Sequence, residues 1–132
     1  MSAGDVQVIT LSLPLDLRHA STARMVASSL GADAGFSVDD IDDLRLGINE
    51  VFSVLAEDPA DGAPDDARLT VDFRVRPGFV EATMTRTDGA GAARFDDLAE
   101  RILETVVDSY ELLDHGGCRL RKSGGRSDDR DG

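Results

Sequence analysis

Apolar residues recur at three- and four-residue steps between Ser37 and Asp58 (SVDDIDDLRLGINEVFSVLAED), a spacing that predicts one long helix. Val38, Ile41, Leu44, Ile48, Val51, Phe52 and Leu55 mark its core face. Ser37 is a good N-cap, Asp39 and Asp40 lie in the first turn where the helix dipole favours negative charge, and Pro59 ends the run. Leu46, Glu50 and Val54 form a second row at i, i+4 and i+8, which puts the carboxylate of Glu50 on an inward-leaning edge. Burying an unpaired carboxylate is costly, so Glu50 belongs either to a hydrogen-bonded structural network or to a site.

The rest of the chain reads as a coarse α+β order. Val6 to Leu15 alternates and is rich in Val, Ile and Leu, predicting a strand that ends near Pro14. Ala20 to Leu30 predicts a helix stopped by Gly31 and the Gly35 region. Residues 59–66 (PADGAPDD) read as a turn-forming loop. Arg68 to Arg76 and Phe79 to Thr87 alternate on either side of Pro77-Gly78, predicting an antiparallel hairpin. Leu98, Ile102, Val106 and Leu113 predict a third helix over 95–113, with Gly116-Gly117 stopping it before a short strand from Cys118 to Lys122. From Ser123 the run SGGRSDDRDG is apolar-poor, so 1–122 is read as one domain and 123–132 as a disordered acidic, glycine-rich tail. The order β-α-α-β-β-α-β implies helices packed on one face of a mixed or antiparallel sheet, the two-layer α+β solution.

Composition narrows the classes of function. A chain of 132 residues can bury a core without staples, and a lone cysteine, Cys118, permits no internal disulfide, which suits the cytoplasm. No basic-then-apolar leader and no run of about 20 apolar residues is present, so no export segment or membrane span is expected. The formal charge of −12 argues against direct contact with nucleic acid, whose phosphates would be repelled. His19 and His115 stand far apart with no partner at metal-ligand spacing, and Cys118 has no acid-base companion, so no metal site or thiol nucleophile is expected.

The run Asp43-Leu44-Arg45-Leu46-Gly47-Ile48-Asn49-Glu50-Val51 resembles the N-box helix of the GHKL (Bergerat) ATPase superfamily, and more narrowly the anti-sigma factor kinases of the RsbW/SpoIIAB type. Ser21-Thr22-Ala23-Arg24 followed by Val26-Ala27-Ser28 resembles their first helix, and Leu103 to Asp108 the helix after the ATP lid. The element order matches over roughly residues 6–122, with specificity confined to the N-box helix. The resemblance implies the Bergerat sandwich, with ATP, when bound, between helices and lid.

The motifs are degenerate relative to that family. Its N-box pairs a glutamate, which polarises the attacking hydroxyl or water, with an asparagine four residues on that ligates Mg²⁺. Glu50 matches the first as a vestigial catalytic residue, but the second position is Val54, which offers no oxygen to a hard cation. Asn49 lies about 100° away around the helix and cannot replace it. The family's Asp-x-Gly-x-Gly turn, whose acid reads adenine, corresponds to Asp88-Gly89-Ala90-Gly91 with altered spacing. Aligning the strand without a gap puts Arg86 at the acid's place. Asp88, Gly89 and Gly91 are therefore the nucleotide-binding candidates, with an ordinary turn as the competing reading. The glycine-rich lid is reduced to a few residues before Leu98-Ala99-Glu100-Arg101.

What the resemblance implies is thus an anti-sigma factor-like regulator whose ATP site is largely lost. Its partners would be a sigma factor and/or a STAS-type anti-anti-sigma protein, with Arg24 on the first helix as the partner contact and a homodimer as the assembly. No cofactor is expected on this reading. The alternative is an active serine/threonine protein kinase of the same fold that uses Mg·ATP and phosphorylates an anti-anti-sigma factor.

Overall fold

Helix capping and strand alternation place most elements where the chain pattern puts them. The computed structural model describes residues 6–56, 66–88, 94–114 and 116–124. Strand β1 (Gln7–Pro14) leads through a 3-10 turn (Leu17–His19) into α1 (Ala20–Asp33) and α2 (Val38–Leu55). The hairpin β2 (Arg68–Arg76) and β3 (Phe79–Arg86) follows, then α3 (Asp97–Val106), β4 (Ser109–Leu113) and β5 (Gly117–Ser123). The five strands form one sheet in the order β1-β2-β3-β5-β4, and every neighbouring pair is antiparallel.

Register explains why one face is apolar. Leu11, Val71, Met84, Cys118 and Leu112 lie in one row across all five strands, and Ile9, Phe73, Ala82, Leu120 and Tyr110 in the next. These rows face the helices. Phe73, Val71, Met84 and Leu120 are completely buried against Leu44, Ile48, Val51 and Phe52 of α2, each such side chain contributing roughly 1.5–3 kcal/mol. The opposite face carries the row Thr10, Asp72, Thr83, Arg119 and Glu111. There Arg121 bonds Glu81 at 2.9 Å and Arg119 bonds Glu111 at 2.9 Å. This is a helix layer on one side of an antiparallel sheet, as the α+β order predicts.

Within the helix layer α2 is central. It packs against α1 and α3 and rests on β3 and β5, while α3 touches β4. Ser37 Oγ accepts the Asp40 N–H at 3.1 Å, confirming the cap. Gly47 lets α2 settle close to the end of α3, since a Cβ there would lie 2.9 Å from Val107 Cγ1. At the sheet margin the nearly buried Lys122 ammonium reaches Asp43 at 3.6 Å and Asp40 at 3.9 Å, tying β5 to the start of α2.

Several expectations are corrected. The predicted helix over 95–113 is a shorter helix followed by a strand. Val107 turns to extended φ −123°, ψ 160°, and Ser109–Leu113 pairs with β5 through a turn containing Gly116 at φ +70°. The buried face of the helix is Ala99, Leu103 and Val106, so of the predicted row Val106 is buried, Ile102 is partly buried and Leu98 is 66% exposed. Helix α1 runs through Gly31 to Asp33, because Gly31 packs beside Ile41 and Phe36, and the reversal falls at Gly35 with φ +87°. Val38 is exposed. Ser123 belongs to β5 rather than to a tail, and Gly124 N–H donates to Gly78 O at 2.9 Å. Residues 59–65 of the expected loop 59–66, and residues 125–132, lie outside the described residues. Among the described residues no helix is long and apolar enough to cross a membrane.

Candidate functional site

Two concave regions flank the exposed side of α2, and the candidate residues divide between them. Consecutive helical positions diverge by about 100°, so Asn49 turns toward α1 while Glu50 turns toward α3. On the α3 side, Glu50, Ser53 and Val54 line a cleft of about 630 Å³ with Leu98 and Ile102 on its far wall and Leu17 at its end. Glu50 is half-buried there. Desolvation pushes its carboxyl above the ordinary range, and the nearby charge of Asp96 pushes it further in the same direction. Asp96 is fixed as the N-cap of α3, its Oδ1 accepting the Ala99 N–H at 2.8 Å. Phe95 beside it stacks edge-on against Tyr110, with centroids 5.9 Å apart.

Among the described residues the side-chain oxygen donors of the cleft are those two carboxylates and the hydroxyl of Ser53, Arg94 is its cation, and Val54 shares the wall with Glu50. Among the described residues no group of three or more His, Cys, Asp or Glu could hold a metal ion. Cys118 is buried under the helices and its thiol is pushed up to about 12, chiefly by desolvation, so it is no nucleophile.

Asp88 sits past the end of β3 and is held by Arg86. The guanidinium makes a bidentate pair with it, Nε to Oδ1 at 3.0 Å and Nη2 to Oδ2 at 2.7 Å. Its third contact donates from Nη1 to the carbonyl of Leu55 at 3.1 Å, satisfying one of the terminal acceptors of α2. Both side chains are largely buried, 9% and 13% exposed. Gly89 and Gly91 lie outside the described residues. The structure thus places Glu50 in the cleft and Asp88 in an ion pair at the C-terminal end of the same helix.

Arg24 lies apart, in a groove of about 390 Å³ between α1 and α2 lined by Asp42, Arg45, Leu46 and Asn49. Its Nη1 donates to Asn49 Oδ1, while Ser28 Oγ donates to the Arg24 backbone carbonyl at 2.9 Å. Arg45 pairs with Asp42 at 3.7 Å, and Leu46 is 41% exposed on the rim. Sequence reasoning missed Asn49 as the residue that orients Arg24, since no spacing rule links positions 25 apart. It also missed Asp96, although an acid just ahead of an apolar helix carries the N-cap signal.

A helix layer on one face of a five-stranded antiparallel sheet matches the GHKL ATPase (Bergerat) fold. A solved structure described as the RsbU and RsbW domains of Rv1364c from Mycobacterium tuberculosis superposes with a TM-score of 0.63. That match covers 89% of this chain and 31% of that one, at 20% identity. In sequence, the chain is 31% identical over 77 residues to proteins named serine-protein kinase RsbW from three Listeria monocytogenes strains: serotype 4a HCC23, and serotype 4b CLIP80459 and F2365. The match takes in 58% of this chain and 48% of each relative, so the chain aligns with about half the length of these proteins. No protein-family model matches the chain.

Proposed function

We propose that this protein is an anti-sigma factor-like regulator that works by binding other proteins and has largely lost its nucleotide site. It would sequester a sigma factor and be released by a STAS-type anti-anti-sigma antagonist, using the α1/α2 groove around Arg24. The observation that supports the reading is the donor set where the resemblance would put a nucleotide. Glu50 shares its wall with Val54, which has no oxygen for Mg²⁺, and Asp88 is bound bidentately by Arg86. Those residues are a poor fit for a Mg·ATP complex, because the triphosphate's charge would meet the carboxylates of Glu50 and Asp96 with Arg94 as the one lining cation among the described residues, in a chain of net charge −12. Arg24 supports the binding role. Asn49 takes one of its five N–H donors and fixes the planar fork at the groove, which suits recognition of a carboxylate.

Without a nucleotide switch, control rests on competing protein affinities and on the phosphorylation state of the antagonist, since a partner that binds every state equally regulates nothing. Capture from native extract should recover a sigma factor or a STAS-domain protein. Arg24→Glu should abolish that capture and leave the melting temperature within about 2 °C of wild type. If melting falls together with binding, Arg24 is structural and the groove is not the contact. The similarity to chains named serine-protein kinases, together with the retained Glu50, favours a second reading as an active serine kinase. Calorimetric titration with Mg·ATP separates the two. Micromolar binding that disappears in Glu50→Ala would remove the first reading.

A further inference from the structure

We propose that the cleft between α2 and α3 receives a basic amphipathic helix of a partner protein, seating a lysine or arginine on Glu50 and aliphatic side chains between Leu17 and Leu98. The proposal rests on the reading that Mg·ATP does not occupy this cleft. Its volume of about 630 Å³ lies within the range of ligand pockets, roughly 300–1,000 Å³. Leu98 on its wall and Leu17 at its end are both more than half exposed. Val54 and Ile102 continue the apolar surface inward and are only partly buried. Exposed apolar side chains gathered at one concavity, rather than scattered singly, mark an interaction site.

Glu50 sets the charge of the occupant. It is half-buried and has no hydrogen-bond or ion-pair partner among the described residues. Desolvation and the charge of Asp96 both raise its carboxyl, and no cation offsets them. The cost of partly burying this carboxylate is therefore already present in the free protein. An ammonium or guanidinium that brings its own apolar stem would offset it. Arg94 lines the same cleft but is exposed and forms no ion pair with either acid. The net charge of −12 also draws a basic segment toward the chain and repels an acidic one.

The walls set its form. Both are helices, α2 and α3, whose backbone groups are paired internally except in the terminal turns. In the first turn of α3, Asp96 Oδ1 already accepts the Ala99 N–H. None of the described lining residues belongs to a strand, so an extended peptide finds no ladder to join. Recognition falls to side chains presented at i, i+3 and i+4, as where an amphipathic helix lies in a groove. A small organic cation would satisfy Glu50 but leave Leu17 and Leu98 in water.

Fluorescence anisotropy of the full chain with a labelled peptide of about 15 residues, Leu and Lys arranged at helical period, tests the proposal. The peptide should bind with a dissociation constant below about 100 μM at about 0.15 M salt, and its counterpart with Glu for Lys should not bind. Glu50→Gln and Leu98→Ser should each weaken binding at least about tenfold. Both should stay folded, since Leu98 is exposed and Glu50→Gln removes a desolvated charge. Two controls should bind as wild type does. Asp33→Asn removes one negative charge at the opposite end of α1 from Leu17, and Leu46→Ser lies in the α1/α2 groove. Absence of binding up to about 1 mM overturns the proposal. So does equal weakening in Asp33→Asn, which would mean attraction to net charge alone, or in Leu46→Ser, which would move the contact to the other groove. Calorimetry with Mg·ATP in the absence of peptide keeps this proposal apart from the reading beneath it. Micromolar nucleotide binding that is lost in Glu50→Gln would overturn both together, whereas failed peptide binding in a chain that does not bind Mg·ATP overturns this proposal alone.

Discussion

Arg86→Met tests whether the ion pair at the end of β3 holds the α2 terminus in place. Methionine keeps the length and the apolar stem but removes three contacts, two to Asp88 and one to the Leu55 carbonyl. Breaking a buried pair by removing one partner costs about 3–5 kcal/mol, and the slight exposure of both side chains places this case near 3. With a urea m-value of roughly 2 kcal/mol/M, the unfolding midpoint should fall by about 1.5 M, and the melting temperature by about 10 °C. Asp88→Leu added to Arg86→Met removes both charges together, so the double variant should be less destabilised than the singles' sum by about 2 kcal/mol. Urea titration of all four proteins gives this coupling directly. A coupling below about 0.5 kcal/mol, or an Arg86→Met midpoint within about 0.3 M of wild type, would show that the pair is incidental.

Other measurements bear on the cleft and the core. Glu50 binds its proton more tightly in the folded state, through desolvation and Asp96, so the native state loses stability as pH rises from the unfolded value of 4.5 through the raised one. Glu50→Gln should therefore melt above wild type at pH 7, with Asp96 and Arg94 unchanged around it, and the gap should close below pH 4.5. A gap of the same size at both pH values would show that ionisation is not its source. Cys118, with its thiol pushed up to about 12 inside the core, should resist iodoacetamide at pH 7 until the protein unfolds. Labelling of native protein at the unfolded rate would contradict that burial. Gly117→Ala should cost about 2 kcal/mol or more, because the new Cβ would lie 2.8 Å from the backbone oxygen of Met84 and 2.6 Å from Thr85 Cγ2. Thermal melts with no change would mean that β3 and β5 can separate there without loss.

Local chemistry was enough for elements whose signal lies within a few residues. The alternation in 68–76 and 79–87, the Ser37 cap with its acidic first turn, and the long apolar stripe of α2 appear in the fold within a residue or two, apart from the exposed Val38. The turn toward a partly desolvated Glu50 followed from the same helical spacing. Long-range packing decided the rest. Leu113 continues the helical spacing of Leu98, Ile102 and Val106, yet residues 109–113 form a strand because β5 offers an unpaired edge and Phe95 packs on Tyr110. Gly31, a helix breaker by propensity, stays helical because α1 must come close to Ile41. Arg24 with Asn49, and Glu50 with Asp96, meet across helix boundaries that no periodicity encodes. A chain's short-range preferences act over a turn or a pleat, whereas pairings between distant segments exist only once the sheet has gathered the helices over it.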